Sequence, residues 1–220
     1  MLSIDKFGLV FDTLGMKTLI LISLLVGASA SANLTQTFQR PLIDGASVSA
    51  DYRAQSPGKK LSLRYTMEEN IETLAKNGQL GTDTVKALSP DILQDRTILI
   101  GIDIFFWDSV KPSSDDSVAA LKQLMALVSA QQIPIVLGDI PPLRPSQPSR
   151  NLLNQEIRQA CAAYEKCKLL PLDAIFREVM AQGYLDYKGQ RYTLPELLPD
   201  GLHVTDPASE YLADQIENLF

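Results

Sequence analysis

Histidine is nearly missing from this chain: His203 is the only one in 220 residues. A metal centre built from several histidines of one chain is therefore excluded. Cysteine is almost as scarce. Cys161 and Cys167 are the whole complement, with no C-x-x-C spacing and no Cys/His set for zinc. Basic charge is short as well, since 20 Lys and Arg stand against 26 Asp and Glu for a net charge of −6. No basic cluster offsets this, and an acidic surface gains nothing from a phosphate backbone, so nucleic acid is not an expected partner. The apolar run near the N-terminus, Leu19 to Val26, falls well short of the roughly 20 residues a bilayer span needs.

What is present is ordinary for a folded protein: 45% apolar and 21% charged residues, in a length that suits one domain with a sizeable core. The N-terminus reads as an address. From Met16 the text is MKTLILISLLVGASASA, a lysine and an apolar run followed by two small-x-small cleavage patterns, Ala28-Ser29-Ala30 and Ala30-Ser31-Ala32. Residues 1–32 are thus expected to be a cleaved signal peptide, with an uncleaved anchor as the alternative. Asp5 and Asp12 are unusual for such a leader, which suggests a true start at Met16. Cleavage would remove Asp5, Asp12, Lys6 and Lys17, leaving the charge unchanged. Residues 33–220 then form one exported domain, periplasmic or secreted. No cysteine follows the apolar run, so a lipid anchor is not indicated.

In an exported chain two cysteines permit one disulfide. CAAYEKC is too widely spaced for one helical turn, but a helix ending near Tyr164 would let the chain fold back and close a small loop. A bridge and two separately buried thiols both remain open.

Along the chain, short apolar runs alternate with longer helical patterns. PLIDGAS (41–47), RTILIGIDIFF (96–106), IPIVLGDIPP (133–142) and the start of CKLLPLDAIF (167–176) read as strands. Helices are expected over 82–93, 113–132, 151–166 and 209–220, while MEENIETLAK (67–76) suits either a short helix or a strand. Buried strands alternating with helices imply a parallel sheet covered on both faces. In such sheets the site lies beyond the carboxyl ends of the strands. Those ends carry Asp44-Gly45-Ala46-Ser47, Gly101-Ile102-Asp103, Gly138-Asp139 and Leu172-Asp173.

Two of these features suggest chemistry. Serine becomes a nucleophile when a base takes its proton, and histidine suits that role near neutral pH. The imidazole in turn needs a carboxylate to fix its tautomer. LPDGLHVTD (198–206) places Asp200 three residues before His203, with Gly201 easing a tight turn between them. Ser47 follows the first strand on a Gly-containing turn, where its hydroxyl could stand above the sheet and its N–H could face an oxyanion. A helix cap is the alternative role for that serine. The text GASVS is not a G-x-S-x-G elbow, which argues against an ordinary α/β-hydrolase.

DGASVSADY, NGQLGTDTVKAL, LIGIDIFFWD and LPDGLHVTDPASEYLAD, in this order over residues 44–216, resemble the four sequence blocks of the SGNH (GDSL-like) hydrolases. The closing D-G-L-H block is the most specific of the four. The resemblance implies a flavodoxin-like three-layer α/β/α fold with a mostly parallel sheet. It also implies a serine esterase that needs no metal and no cofactor. In that scheme Ser47 is the nucleophile, His203 the base, Asp200 its orienting acid, and the Ser47 and Gly81 N–H groups are oxyanion donors. Without the resemblance Gly81 is equally a glycine at a helix start.

Two positions depart from the pattern. The first block commonly reads Gly-Asp-Ser, and here Ala46 takes the Asp position. The third commonly reads Gly-x-Asn-Asp, and Asp103 stands where the Asn side chain would donate to the oxyanion. An ionised carboxylate has no donor and repels developing negative charge. Three outcomes are open: Asp103 is protonated; it turns away and leaves the two N–H groups; or the hydrolase is slow and the fold serves as a binding scaffold. On the oxyanion reading, Asp103→Asn should raise turnover. Phe106 and Trp107 are candidates for an apolar pocket wall or for core aromatics. Ester substrates of small-molecule, lipid or polysaccharide type fit equally, as does acyl transfer from the same residues.

Overall fold

The computed structural model describes residues 33–144 and 148–220. The expected signal segment, residues 1–32, lies outside the described residues, as do 145–147 of the Pro-rich loop. Among the described residues, no helix is long and apolar enough to cross a membrane.

Five short strands make the central sheet: β1 (Pro41–Ile43), β2 (Glu72–Thr73), β3 (Ile98–Gly101), β4 (Ile135–Gly138) and β5 (Cys167–Leu170). They lie in the order β2-β1-β3-β4-β5 and every pairing is parallel. Side chains alternate across the sheet, so each strand feeds two cores. Leu42, Leu99, Ile135 and Leu137 enter one core, and Ile43, Ile98, Ile100 and Val136 enter the other. The Ile-rich runs are apolar at consecutive positions for this reason: both faces are buried.

The first core is covered by α2 (Gly81–Ala87), α3 (Pro90–Leu93), α4 (Asp115–Ala130) and α5 (Pro148–Ala162). The second is covered by α1 (Pro57–Ser62), α6 (Leu172–Gln182), α7 (Leu194–Leu197) and α8 (Asp206–Glu217). A separate antiparallel hairpin, β6 (Tyr184–Tyr187) with β7 (Gln190–Thr193), follows α6. The architecture is therefore a three-layer α/β/α sandwich on a parallel sheet, as expected.

Three local readings change. The helix expected over 82–93 is two helices, because Ser89 accepts the Ile92 N–H as an N-cap and Pro90 opens a second helix. The run 96–106 is strand only to Gly101, and the rest turns over the sheet edge. The ambiguous 67–76 segment contains a 3-10 turn and then edge strand β2. Segments α1, α7 and the hairpin were not anticipated, since each is too short to show a period.

Helix α5 ends at Ala162, and turn bonds Tyr164 N–H to Cys161 O and Cys167 N–H to Tyr164 O bring the chain back into β5. Cys161 and Cys167 are joined there as a disulfide, with Cα atoms 5.2 Å apart. So small a loop loses little chain entropy, and the bridge contributes about 2 kcal/mol by that account.

Candidate active site

The strand order reverses its direction of growth between β1 and β3: the chain runs outward from β1 to β2, then crosses to the other side for β3. A crevice opens at such a point beyond the strand ends. Ser47 follows β1 and Asp103 follows β3, so the sheet itself brings these two turns together.

The Ser47 turn begins where the Asp44 N–H donates to Ile100 O at 3.1 Å. Residues 46–52 then make about one helical turn, with Ala50 N–H on Ala46 O and Tyr52 N–H on Ser47 O. Asp103 holds this turn from beneath. Its Oδ1 accepts the Ala46 N–H at 3.0 Å and the Ser49 hydroxyl at 2.5 Å, and its Oδ2 accepts the N–H groups of Val48 at 2.9 Å and Ser49 at 3.4 Å. Gly45, at φ +147°, lets the carboxylate approach: a Cβ there would strike Asp103 Oδ1 and lie 2.8 Å from Ser49 Oγ.

Those four bonds occupy all four lone-pair sites of a carboxylate. Burial pushes the Asp103 carboxyl upward, and the Ser49 hydroxyl and the three N–H groups oppose that rise. The Asp103 side chain is directed at the Ser47 turn, which is the orientation of the second outcome left open by the sequence, but the Gly81 N–H is not left open beside that of Ser47. The carboxylate faces the backbone of the Ser47 turn. The Ser47 N–H itself has no acceptor among the described residues.

Asp200 and His203 meet through a turn after α7. Asp200 Oδ1 accepts the N–H groups of Leu202 at 3.1 Å and His203 at 2.8 Å, and Gly201 takes φ +70°. Asp200 Oδ2 lies 2.8 Å from His203 Nδ1. The His203 N–H, then the imidazole, hold the Asp200 carboxyl well below the usual carboxylate range. With Nδ1 bound to the carboxylate, Nε2 is the free end of the ring, and it is buried with no hydrogen-bond partner.

Contacts tie the two halves. The Tyr52 ring, from the Ser47 turn, packs against the His203 ring with centroids 4.5 Å apart. Arg53 Nε lies 3.1 Å from Asp200 Oδ2. Ser47 and Asp103 line one side of an apolar cavity whose other walls include Leu202 and Val204, the neighbours of His203. Tyr52 and Arg53 carried no signal in the sequence, because only the packed turn brings them to the dyad.

Gly81 is placed differently. It opens α2, and its N–H donates to the buried Asp108 at 2.5 Å. Asp108 also accepts the Ser117 hydroxyl at 2.7 Å. A Cβ on Gly81 would come within 2.8 Å of Ile104 O and would strike the Phe105 ring, so packing alone requires glycine. The helix-start role is thus realised, and the N–H is held by a carboxylate. Asp108 was missed; an acid closing the apolar run IDIFFWD was its only trace. Phe106 lines the cavity beside Ser47, whereas Trp107 packs edge-on against Phe106 at 5.2 Å and under Arg144 at 5.3 Å.

Asp44 is a second buried acid under the turn. Its Oδ1 accepts the Gly45 N–H, and its Oδ2 is buried without a partner. Burial pushes its carboxyl up to about 7, the Gly45 N–H opposes this, and the negative Asp103 adds to the rise. The folded state therefore prefers Asp44 protonated. Stability from this group is full below the unfolded value near 4 and is lost as pH rises through about 7. Asp44→Asn should gain on wild type between pH 4 and pH 8 by up to roughly 4 kcal/mol. Urea unfolding at the two pH values measures this, and a difference that does not change with pH would refute it.

No family model matches the sequence, and no curated protein matches it. Solved structures do. A psychrotrophic esterase, EstA from Pseudoalteromonas sp., in a structure inhibited by monoethylphosphonate, is 16% identical with a TM-score of 0.55, covering 82% of this chain and 96% of its own. An acetyl xylan esterase, AlAXEase, is 14% identical with a TM-score of 0.57, covering 81% and 97%. A protein described as an SGNH hydrolase from Slackia heliotrinireducens is 17% identical with a TM-score of 0.54, covering 82% and 98%. With the same three layers and parallel sheet over four fifths of its length, this chain has the fold of the SGNH hydrolase structures.

Proposed function

We propose that the protein is an exported serine hydrolase that cleaves carboxylic esters through Ser47, His203 and Asp200. The observation that carries this reading is the state of His203: Nδ1 is fixed by Asp200 at 2.8 Å, and Nε2 is buried and unpartnered beside the Ser47 turn. A ring oriented in this way is a base waiting for a proton.

Ser47 Oγ attacks the ester carbonyl and its proton passes to His203 Nε2. The carbonyl oxygen becomes an oxyanion and faces the open Ser47 N–H. When the intermediate collapses, the alcohol leaves with the proton from His203. Water then attacks the acyl-serine, His203 takes and returns its proton, and the acid departs. Asp200 remains charged throughout and stabilises the imidazolium.

The Gly81 N–H joins the oxyanion hole only by leaving Asp108, and both Asp103 oxygens are engaged with the Ser47 turn. Loss of one oxyanion donor costs roughly 10²–10³ in rate. The enzyme is therefore expected to be slow beside one with a full set. The leader-like N-terminus and the disulfide support export to an oxidising compartment, periplasm or outside medium. A fluorophosphonate probe should label the wild type between pH 6 and 9, and Ser47→Ala and His203→Ala should not be labelled. A wild type that resists the probe throughout that range sinks the enzyme reading in favour of a binding protein.

A further inference from the structure

The chain has nine arginines, and among the described residues Arg144 and Arg150 are the two that pair with no acid. Arg150, in the first turn of α5, is only 5% exposed. Its one hydrogen bond among the described residues runs from Nη1 to the Arg144 carbonyl oxygen at 3.1 Å, and its Nε is buried with no partner. Arginine keeps its proton in proteins, so titration cannot remove the charge. A cation taken out of water is costly without a counter-ion.

A second unpaired donor belongs to the same cluster. Arg144 stacks over the Trp107 ring, its guanidinium carbon 5.3 Å from the centroid, and Trp107 Nε1 is buried with no partner. The Ser149 hydroxyl, beside Arg150, donates to Ser109 O at 2.8 Å and fastens the start of α5 to the turn that carries Trp107. The positive end of α5, a helix of 15 residues, adds to the same field. The cluster thus offers two guanidinium groups and an indole N–H. These donors match an anion whose oxygens accept several bonds, and an arginine fork fits carboxylate and phosphate alike. The net charge of −6 opposes such a ligand at a distance, but salt screens that repulsion beyond about 8 Å.

The position of the cluster connects it with the ester chemistry. Leu143 and Phe106, the residues just before Arg144 and Trp107, line the cavity beside Ser47. Resting on the serine-hydrolase reading above for its role in turnover, we propose that Arg144, Arg150 and the Trp107 indole form a subsite for an anionic group. The ester acted on then carries a carboxylate or a phosphate.

Binding is measured first, on the Ser47→Ala protein, where no turnover intervenes. Trp107 is the only tryptophan, so the indole gives a single N–H resonance. Sodium phosphate or sodium acetate, titrated against sodium chloride at matched ionic strength, should shift the Trp107 indole and Arg150 Nε–H resonances together. The tighter of the two anions identifies the group. Arg144 is exposed, so Arg144→Ala should fold, and it should weaken binding about tenfold, the loss of one charge-assisted bond. No shift with either anion, a shift that chloride reproduces, or unchanged binding by the Arg144→Ala protein overturns the proposal.

Turnover is then compared in matched pairs. Mono-p-nitrophenyl succinate carries a carboxylate on the acyl side and p-acetoxybenzoate on the alcohol side, each set against its methyl ester; p-acetoxyphenyl phosphate is set against phenyl acetate. In wild type, kcat/KM should favour the charged member of at least one pair, and Arg144→Ala should cut that preference about tenfold. A wild type that favours the neutral member of every pair, or a preference that Arg144→Ala leaves unchanged, overturns the proposal while Ser47 chemistry stands. Absence of turnover on every ester together with absence of probe labelling overturns the serine-hydrolase reading instead, and the anion titration still decides the subsite.

Discussion

Asp200→Asn is expected to lower kcat by roughly 10³–10⁴, on the scale seen when a triad aspartate is amidated, while the chain stays folded. The geometry separates the two jobs of this residue. Oδ1 holds the backbone turn by accepting the Leu202 and His203 N–H groups. An asparagine oxygen can do the same, so the loop survives. Oδ2 is the atom that faces His203 Nδ1. An amide nitrogen in its place donates, and the ring must answer by moving its own proton to Nε2. A protonated Nε2 cannot take the Ser47 proton, and raising the pH does not relieve this, because the fault is in the tautomer. The Arg53 contact is also weakened, but Arg53 is half exposed and such pairs are worth about 0–1 kcal/mol. Steady-state kinetics on a p-nitrophenyl ester, beside a denaturant melt, give both numbers. A drop of less than tenfold with an unchanged melt would remove Asp200 from the triad.

Asp103→Asn tests the departure that the sequence made conspicuous. Read from the sequence, the substitution restores an oxyanion donor and should speed turnover. The structure predicts the opposite sign. Each Asp103 oxygen accepts two hydrogen bonds from the Ser47 turn. An asparagine has one such oxygen. With it placed on the Val48 and Ser49 N–H groups, the amide can donate to Ser49 Oγ, and the Ala46 N–H loses its acceptor. A buried N–H without a partner costs about 1–3 kcal/mol. It also frees the residue immediately before the nucleophile. Turnover should fall about tenfold, stability should fall by the cost of that one bond, and KM for a short ester should move little. A rise in kcat would show that the amide reaches the oxyanion, and the cradle described here would then not be what limits the enzyme.

Local geometry explains which features were legible. The Asp200–His203 dyad spans four residues closed by two bonds to one carboxylate oxygen, so the sequence D-G-L-H contains almost everything that shapes it. The sheet was legible because strands buried on both faces must be apolar at consecutive positions, and the helices between them force parallel crossovers. The fold-back that permits the disulfide was legible as a condition, a helix ending near Tyr164, and the helix ends at Ala162.

Long-range pairings were not legible, because nothing in a residue's neighbours says where its side chain points once the chain leaves a strand. Asp103 bonds to groups 54 to 57 positions away. Gly81 reaches Asp108 across 27. Phe176 lies on a helix beyond β5, and its place in the cavity beside Ser47 comes from α6 and α8 packing over the same core. The sequence by itself determined the three-layer fold, the order of the site blocks along the chain and the His203–Asp200 turn, all set by periodicity or by bonds between near neighbours. Only the tertiary structure decided that Asp103 braces the Ser47 turn, that Asp108 holds the Gly81 N–H and that Phe176 lines the cavity beside Ser47, since each of these requires segments far apart in the chain to meet.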